Sequence, residues 1–135
     1  MAKEFALSVV AADRSVIDTV ATSVIAPGAM GYFGVMAGHE PMVIALKAGI
    51  IEYESADKSR HILAISGGFA EVNGERVMVL ADSATFSHEV DVEFEKERLE
   101  KARRVMRGED SSMTLQEATD VVEVSLAKLR AGKFN

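Results

Sequence analysis

The sequence predicts a β-sandwich of about ten short antiparallel strands followed by a C-terminal antiparallel two-helix hairpin. Three observations carry this. Short runs rich in Val and Ile recur at close spacing through the first two-thirds of the chain, with no helical period between them. The pair Asn73-Gly74 stands between segments of alternating apolar residues. After residue 88 the chain changes to charged segments of helical period, interrupted at Gly108.

Phe5 to Val10, Val20 to Ile25, Met42 to Leu46, Ile50 to Tyr53 and His61 to Ser66 each read as strands. Polar or Pro/Gly turns divide them: Asp13-Arg14-Ser15, Pro27-Gly28 and Ala56 to Ser59. Around Asn73-Gly74, Ala70 and Val72 alternate with Glu71, and Val77 and Val79 alternate beyond it. Both turn residues tolerate positive φ, so a two-residue type I′ hairpin is expected there.

Asp91 is the predicted cap of the first helix. Glu93, Glu95 and Glu97 crowd its start; Lys101, Arg103, Arg104 and Arg107 crowd its end, before Gly108. That order suits the helix macrodipole. Its apolar stripe reads Phe94, Leu99, Ala102, Val105 and Met106. Thr114 with Glu117 forms a capping-box pattern, and Leu115, Ala118, Val122, Leu126 and Leu129 supply the facing stripe. Both stripes are thin, so the pairing is worth only a few kcal/mol at ~25 cal/mol per Å². Residues 1–88 are therefore read as the sandwich and residues 89–135 as a hairpin with a small barrier to movement.

Composition narrows the function. A chain of 135 residues with 48% hydrophobic content builds one ordinary core. Cysteine is absent, which excludes disulfides and thiol chemistry. A net charge of −6 argues against nucleic acid as a partner. No apolar run spans a bilayer, and the start at Met1-Ala2-Lys3-Glu4 leads into a strand, so no signal or transit peptide is expected.

The chemistry-bearing patterns fail one by one. Ser66-Gly67-Gly68 is not a nucleophile elbow, because position 64 is Ala and a strand follows. It reads instead as a bulge or a close strand crossing. His39-Glu40 opens a zinc-type H-E-x-x-H, but position 43 is Val. Gly31, Gly34 and Gly38 match no dinucleotide fingerprint, and no Gly-Lys-Ser/Thr occurs. No catalytic, metal or cofactor set is expected. What remains is a shaped loop, Gly31 to Pro41, flanked by Met36 and Met42, which read equally as core filling, and the basic cluster from Lys101 to Arg107, which reads as a solvated face suiting the helix dipole or as a surface for an acidic partner.

Three ordered segments carry a resemblance: Gly31-x-Phe33-Gly34-x-Met36-x-x-His39-x-Pro41, then Ser66-Gly67-Gly68-Phe69-x-Glu71-Val72, then Val77 to Ala84. Together they resemble the epsilon subunit of bacterial F-type ATP synthases. The resemblance implies a non-catalytic rotor subunit that grips the gamma subunit and rests on the c-ring. Its hairpin would extend toward the alpha and beta subunits and restrain ATP hydrolysis. It also implies a peripheral position on the cytoplasmic face of the bacterial inner membrane. Gly31, Tyr32, Met36 and His39 fall in the segment that would face the c-ring, with Tyr32 where many relatives carry an acid. Gly67, Gly68 and Phe69 would be structural or gamma-facing. Lys101, Arg103, Arg104, Arg107, Lys128 and Arg130 would serve the regulatory tail. Relatives that bind ATP carry Ile/Leu-Asp-x-x-Arg-Ala; the matching Met113, Thr114, Glu117 and Ala118 lack both Asp and Arg, so weak or no ATP binding by the hairpin is expected.

Overall fold

The computed structural model describes residues 3–12 and 14–134; Met1, Ala2 and Asp13 of the predicted first turn lie outside the described residues. The strands are β1 (Phe5–Ala11), β2 (Arg14–Gly28), β3 (Gly31–Val35), β4 (Met42–Ser55), β5 (Arg60–Asn73), β6 (Arg76–Ala81) and β7 (Ala84–Phe86). A 3-10 turn, Ser87–Glu89, leads into α1 (Val92–Met106) and α2 (Leu115–Gly132).

The β-rich part followed by two helices agrees with the sequence reading, but the count of about ten short strands does not. Seven strands form one sheet among the described residues. Predicted neighbours have fused: Met42 to Leu46 and Ile50 to Tyr53 both lie in the 14-residue β4. The Pro27-Gly28 turn lies inside β2, which bends at register shifts between Ala21 and Ser23 and between Ile25 and Gly28. Nor are all pairs antiparallel. β1 runs antiparallel to β2 and parallel to β6, which closes the circuit β1-β6-β5-β4-β2 into a flattened barrel. Closure removes most free edges and leaves β3, which among the described residues pairs with β2 alone, on the outside.

Alternation places the core. Phe5, Leu7, Val9 and Ala11 all point inward from β1. The run Ile62-Leu63-Ala64-Ile65 is buried throughout. Leu63 and Ile65 join the barrel core, while Ile62 and Ala64 pack with Ile50 beneath Ala127 and Ala131 of α2. A consecutive apolar run thus marks a strand covered on both faces.

The Asn73-Gly74 hairpin exists, but not as type I′. Asn73 pairs with Arg76, so the turn residues are Gly74 and Glu75, and neither Asn73 nor Gly74 has positive φ. Asn73 Oδ1 instead accepts from the Glu75 and Arg76 amides, both at 3.0 Å. The side chain supplies what positive φ would have supplied.

The cap of the first helix is as expected, and the second helix shows the Thr114 half of its predicted capping box, with no return bond from the Glu117 side chain among the described residues. Asp91 accepts from the Phe94 amide at 3.1 Å, and Thr114 from the Glu117 amide at 3.0 Å. At the end of α1, Gly108 takes φ +79°, with Gly108 N–H on Val105 O and Glu109 N–H on Arg104 O. This is a Schellman stop. The helical stripes need correction. Phe94, Met106, Leu115 and Leu126 are exposed. The seam uses smaller groups, Ala102 and Val105 against Ala118, Val121 and Val122. α2 is committed twice, to α1 on one side and to the sheet on the other, and its own Leu115 and Leu126 are left outside both contacts.

Candidate partner-binding faces

The first candidate site is the outer face of the sheet. Pairing sets Ala45 beside Phe69, Phe69 beside Leu80, and Leu80 beside Val10, so one row crosses β4, β5, β6 and β1. Phe69 is 57% exposed, Leu80 52% and Val10 36%, and Val43 in the next row is 73% exposed. A groove of about 190 Å³ runs between Val43, Phe69, Met78 and Leu80. Side chains of this size left together in water mark an interaction surface.

Gly67 and Gly68 create the platform for Phe69. Their φ values are +121° and +143°. A Cβ on Gly68 would lie 2.0 Å from Leu80 O. Here β5 stops pairing with β6 and passes to β7. Ser66 beside them accepts a hydrogen bond from Ser83 Oγ at 2.8 Å. The glycine pair is therefore a close strand crossing.

The second candidate is the segment Gly31 to Pro41. Only Met36 to Pro41 is loop, because Gly31–Val35 is strand β3. Tyr32 lies on the outward face of β3, and Met36 is the first exposed residue beyond its end. Met36 is 63% exposed, and Met30, before the strand, 98%. Gly38 N–H bonds Gly74 O at 2.9 Å, tying the loop to the β5–β6 turn. His39 Nδ1 donates to Glu40 O at 2.8 Å. Tyr32 is turned elsewhere: its hydroxyl accepts from Ile50 N–H at 3.0 Å, and Arg130 lies over its ring.

The third candidate is the basic tail. Lys101 and Arg103 are exposed. Arg104 and Arg107 pair with Glu100 at 3.9 and 3.2 Å, and Arg107 also with Glu109. Those carboxylates hold the Arg107 guanidinium pKa above its ordinary value. At the foot of the hairpin Arg14 bridges to Glu89 at 3.2 Å; this hydrogen-bonded pair keeps the Glu89 pKa below the usual carboxylate range.

Sequence reasoning missed Glu95, which is 3% exposed in the seam between the helices. Its nearest polar partners are Ser125 Oγ at 3.4 Å, Arg98 at 3.9 Å and Lys128 at 4.0 Å. Those distances are long for a buried carboxylate. Its place in an acidic first turn hid it. Only the i, i+4, i+7 relation to Leu99 and Ala102 could have pointed to the buried face. A loosely compensated buried charge is costly. Glu95→Met is thus expected to stabilise the hairpin by about 1 kcal/mol, read as slower amide exchange in α2. Faster exchange would show that the acid holds the helices together.

The comparisons with known proteins agree on one family. Residues 4–87 match the model of the ATP synthase Delta/Epsilon chain beta-sandwich domain. The ATP synthase epsilon chain of Moorella thermoacetica is 34% identical over 125 residues, 93% of each chain. That of Desulforamulus reducens is 32% identical over 133 residues, 98% of this chain and 100% of its own.

The chain belongs to the ATP synthase epsilon-chain family.

Structural likeness extends through the helices that the family model omits. A chain of the Euglena gracilis mitochondrial ATP synthase, solved as an OSCP/F1/c-ring assembly, superposes with TM-score 0.83 at 28% identity, covering 96% of this chain and 81% of that one. A chain from the Tetrahymena thermophila mitochondrial ATP synthase, at TM-score 0.59 and 9% identity, shares the fold. Among the described residues no helix is long and apolar enough to cross a membrane, and no acid/His cluster suits a metal ion.

Proposed function

We propose that this epsilon-family chain is a non-catalytic rotor subunit of the central stalk, coupling ion translocation to ATP synthesis. The observation that carries the reading is the exposed row Ala45–Phe69–Leu80–Val10. A rigid barrel presenting an apolar platform suits a permanent protein partner, and in this family the fitting partner is the gamma subunit. The Met36–Pro41 loop, with exposed Met36 and with His39, meets the c-ring. Residues 1–88 form the binding unit and residues 89–135 a mobile regulatory element. Assembly fixes the chain peripherally on the cytoplasmic face of the bacterial inner membrane. Co-purification tests this reading: the intact chain is expected to elute with a gamma-type subunit. Elution alone at micromolar concentration contradicts it.

The hairpin acts as a restraint on ATP hydrolysis. Its seam of small side chains buries little area, so docked and extended states differ by a few kcal/mol. Extension would take Lys128 from Glu95 and Arg130 from Tyr32. These two would then join Lys101, Arg103, Arg104 and Arg107 in facing acidic surfaces of the alpha and beta subunits. Assembled enzyme lacking residues 90–135 is expected to hydrolyse ATP faster, by about fivefold for a restraint of roughly 1 kcal/mol. An unchanged rate would leave the hairpin with a stabilising role alone.

A further inference from the structure

Tyr32 stands on the outward face of edge strand β3, yet its side chain is engaged by two other elements. Its hydroxyl accepts from the backbone N–H of Ile50 at 3.0 Å. That amide lies where β2–β4 pairing is interrupted, between the Ile25–Glu52 and Gly28–Leu46 pairs. The tyrosine therefore satisfies a donor at a break in the ladder. Gly49 makes room for it: a Cβ there would lie 2.7 Å from Tyr32 Oη and 2.7 Å from Pro27 Cβ. On the other side Arg130, near the end of α2, sits 5.5 Å from the ring centroid, within cation–π range. A cleft of about 240 Å³ between Lys47, Gly49, Glu123 and Leu126 contains this contact.

Ile50 joins the two halves of the arrangement. Its N–H holds Tyr32, and its side chain packs in the cluster that seats Ala127 and Ala131 of α2. One residue thus touches the edge strand and the hairpin dock together. We infer that Tyr32 is a latch coupling β3 to docking of the helical hairpin: a partner that grips β3 and draws Tyr32 from its cleft loosens α2, and release of α2 frees Tyr32. The coupling is reciprocal by linkage. Its regulatory meaning rests on the proposed partner for the β3 segment, whereas the docking contact does not.

Hydrogen exchange on the intact chain tests the latch. Tyr32→Ala is expected to speed exchange of the amides from Ala127 to Ala131 by about threefold to tenfold, leaving Leu7, Val9 and Val79 unchanged. Tyr32→Phe keeps the ring under Arg130 and loses the hydroxyl, so it should expose the Ile50 amide with a smaller effect on α2. Arg130→Gln should show the converse. Unchanged α2 exchange in Tyr32→Ala overturns the inference, as does equal acceleration in the barrel core, which would mark a general structural role. Binding of the same variants to a c-ring preparation is a separate readout. Normal binding with loosened α2 would sink the assignment of that partner and keep the latch. Weaker binding with α2 unchanged would sink the latch alone.

Discussion

Gly68→Ala is expected to lower the melting temperature by about 10 °C or more, the largest effect of any single methyl group added to this chain. The new Cβ would meet Leu80 O at 2.0 Å and Ala81 Cα at 2.9 Å, all backbone atoms with no rotamer to yield. Retreat is blocked because Gly68 is paired on both sides, to Ala81 and to Leu46. Its φ of +143° adds strain that alanine rarely tolerates. Strain and overpacking together amount to roughly 3–5 kcal/mol, a large share of the 5–15 kcal/mol that holds a typical domain. Gly67→Ala is the control. It has positive φ as well, but its Cβ would lie 3.4 Å from Asp82 Oδ2, an ordinary contact. Its loss should be clearly smaller. Thermal unfolding followed by circular dichroism decides the matter; equal effects, or a shift of only a degree or two for Gly68→Ala, would refute the close-crossing account.

Phe69→Glu is expected to weaken association with a gamma-type partner by tenfold to a hundredfold, roughly 1.4–2.8 kcal/mol. Phe69 lies in the middle of the exposed row, between Ala45 and Leu80, with Val10 beyond. A carboxylate there would be desolvated on binding among the apolar Ala45, Leu80 and Val10 of its own row. Because the side chain is 57% exposed in the free chain, folding should change by no more than about 0.5 kcal/mol. Association by surface plasmon resonance, alongside the melting temperature, separates the two effects. Unimpaired association would remove this face from the interface.

Much of the fold was legible because its signals are local. Alternation in Phe5–Ala11 and the caps Asp91 and Thr114 each depend on a few neighbouring residues. What escaped depends on the whole chain. No local pattern says that β1 closes the barrel parallel to β6, or that β4 continues past Leu46 without a turn. β3 was hidden because Gly31 and Gly34 look like loop residues, although an edge strand with an outward face tolerates them. The helical stripes were misjudged because the sequence does not reveal that the sheet claims Ala127 and Ala131. Of the candidate site residues, Phe69 stood out through its double glycine, whereas the engagement of Tyr32 by Ile50 and Arg130 depends on a contact between distant segments.

The central claim is that the sheet face bearing Phe69 grips the stalk partner in the assembled enzyme. A photo-reactive side chain at position 69, in ATP synthase assembled with this chain, measures it directly. The expected result is covalent capture of the gamma subunit from position 69, of a c subunit from position 36, and of no subunit from Lys58 at the exposed β4–β5 turn. Capture from position 69 of any other subunit, or of none, in an enzyme that assembles normally would contradict the account.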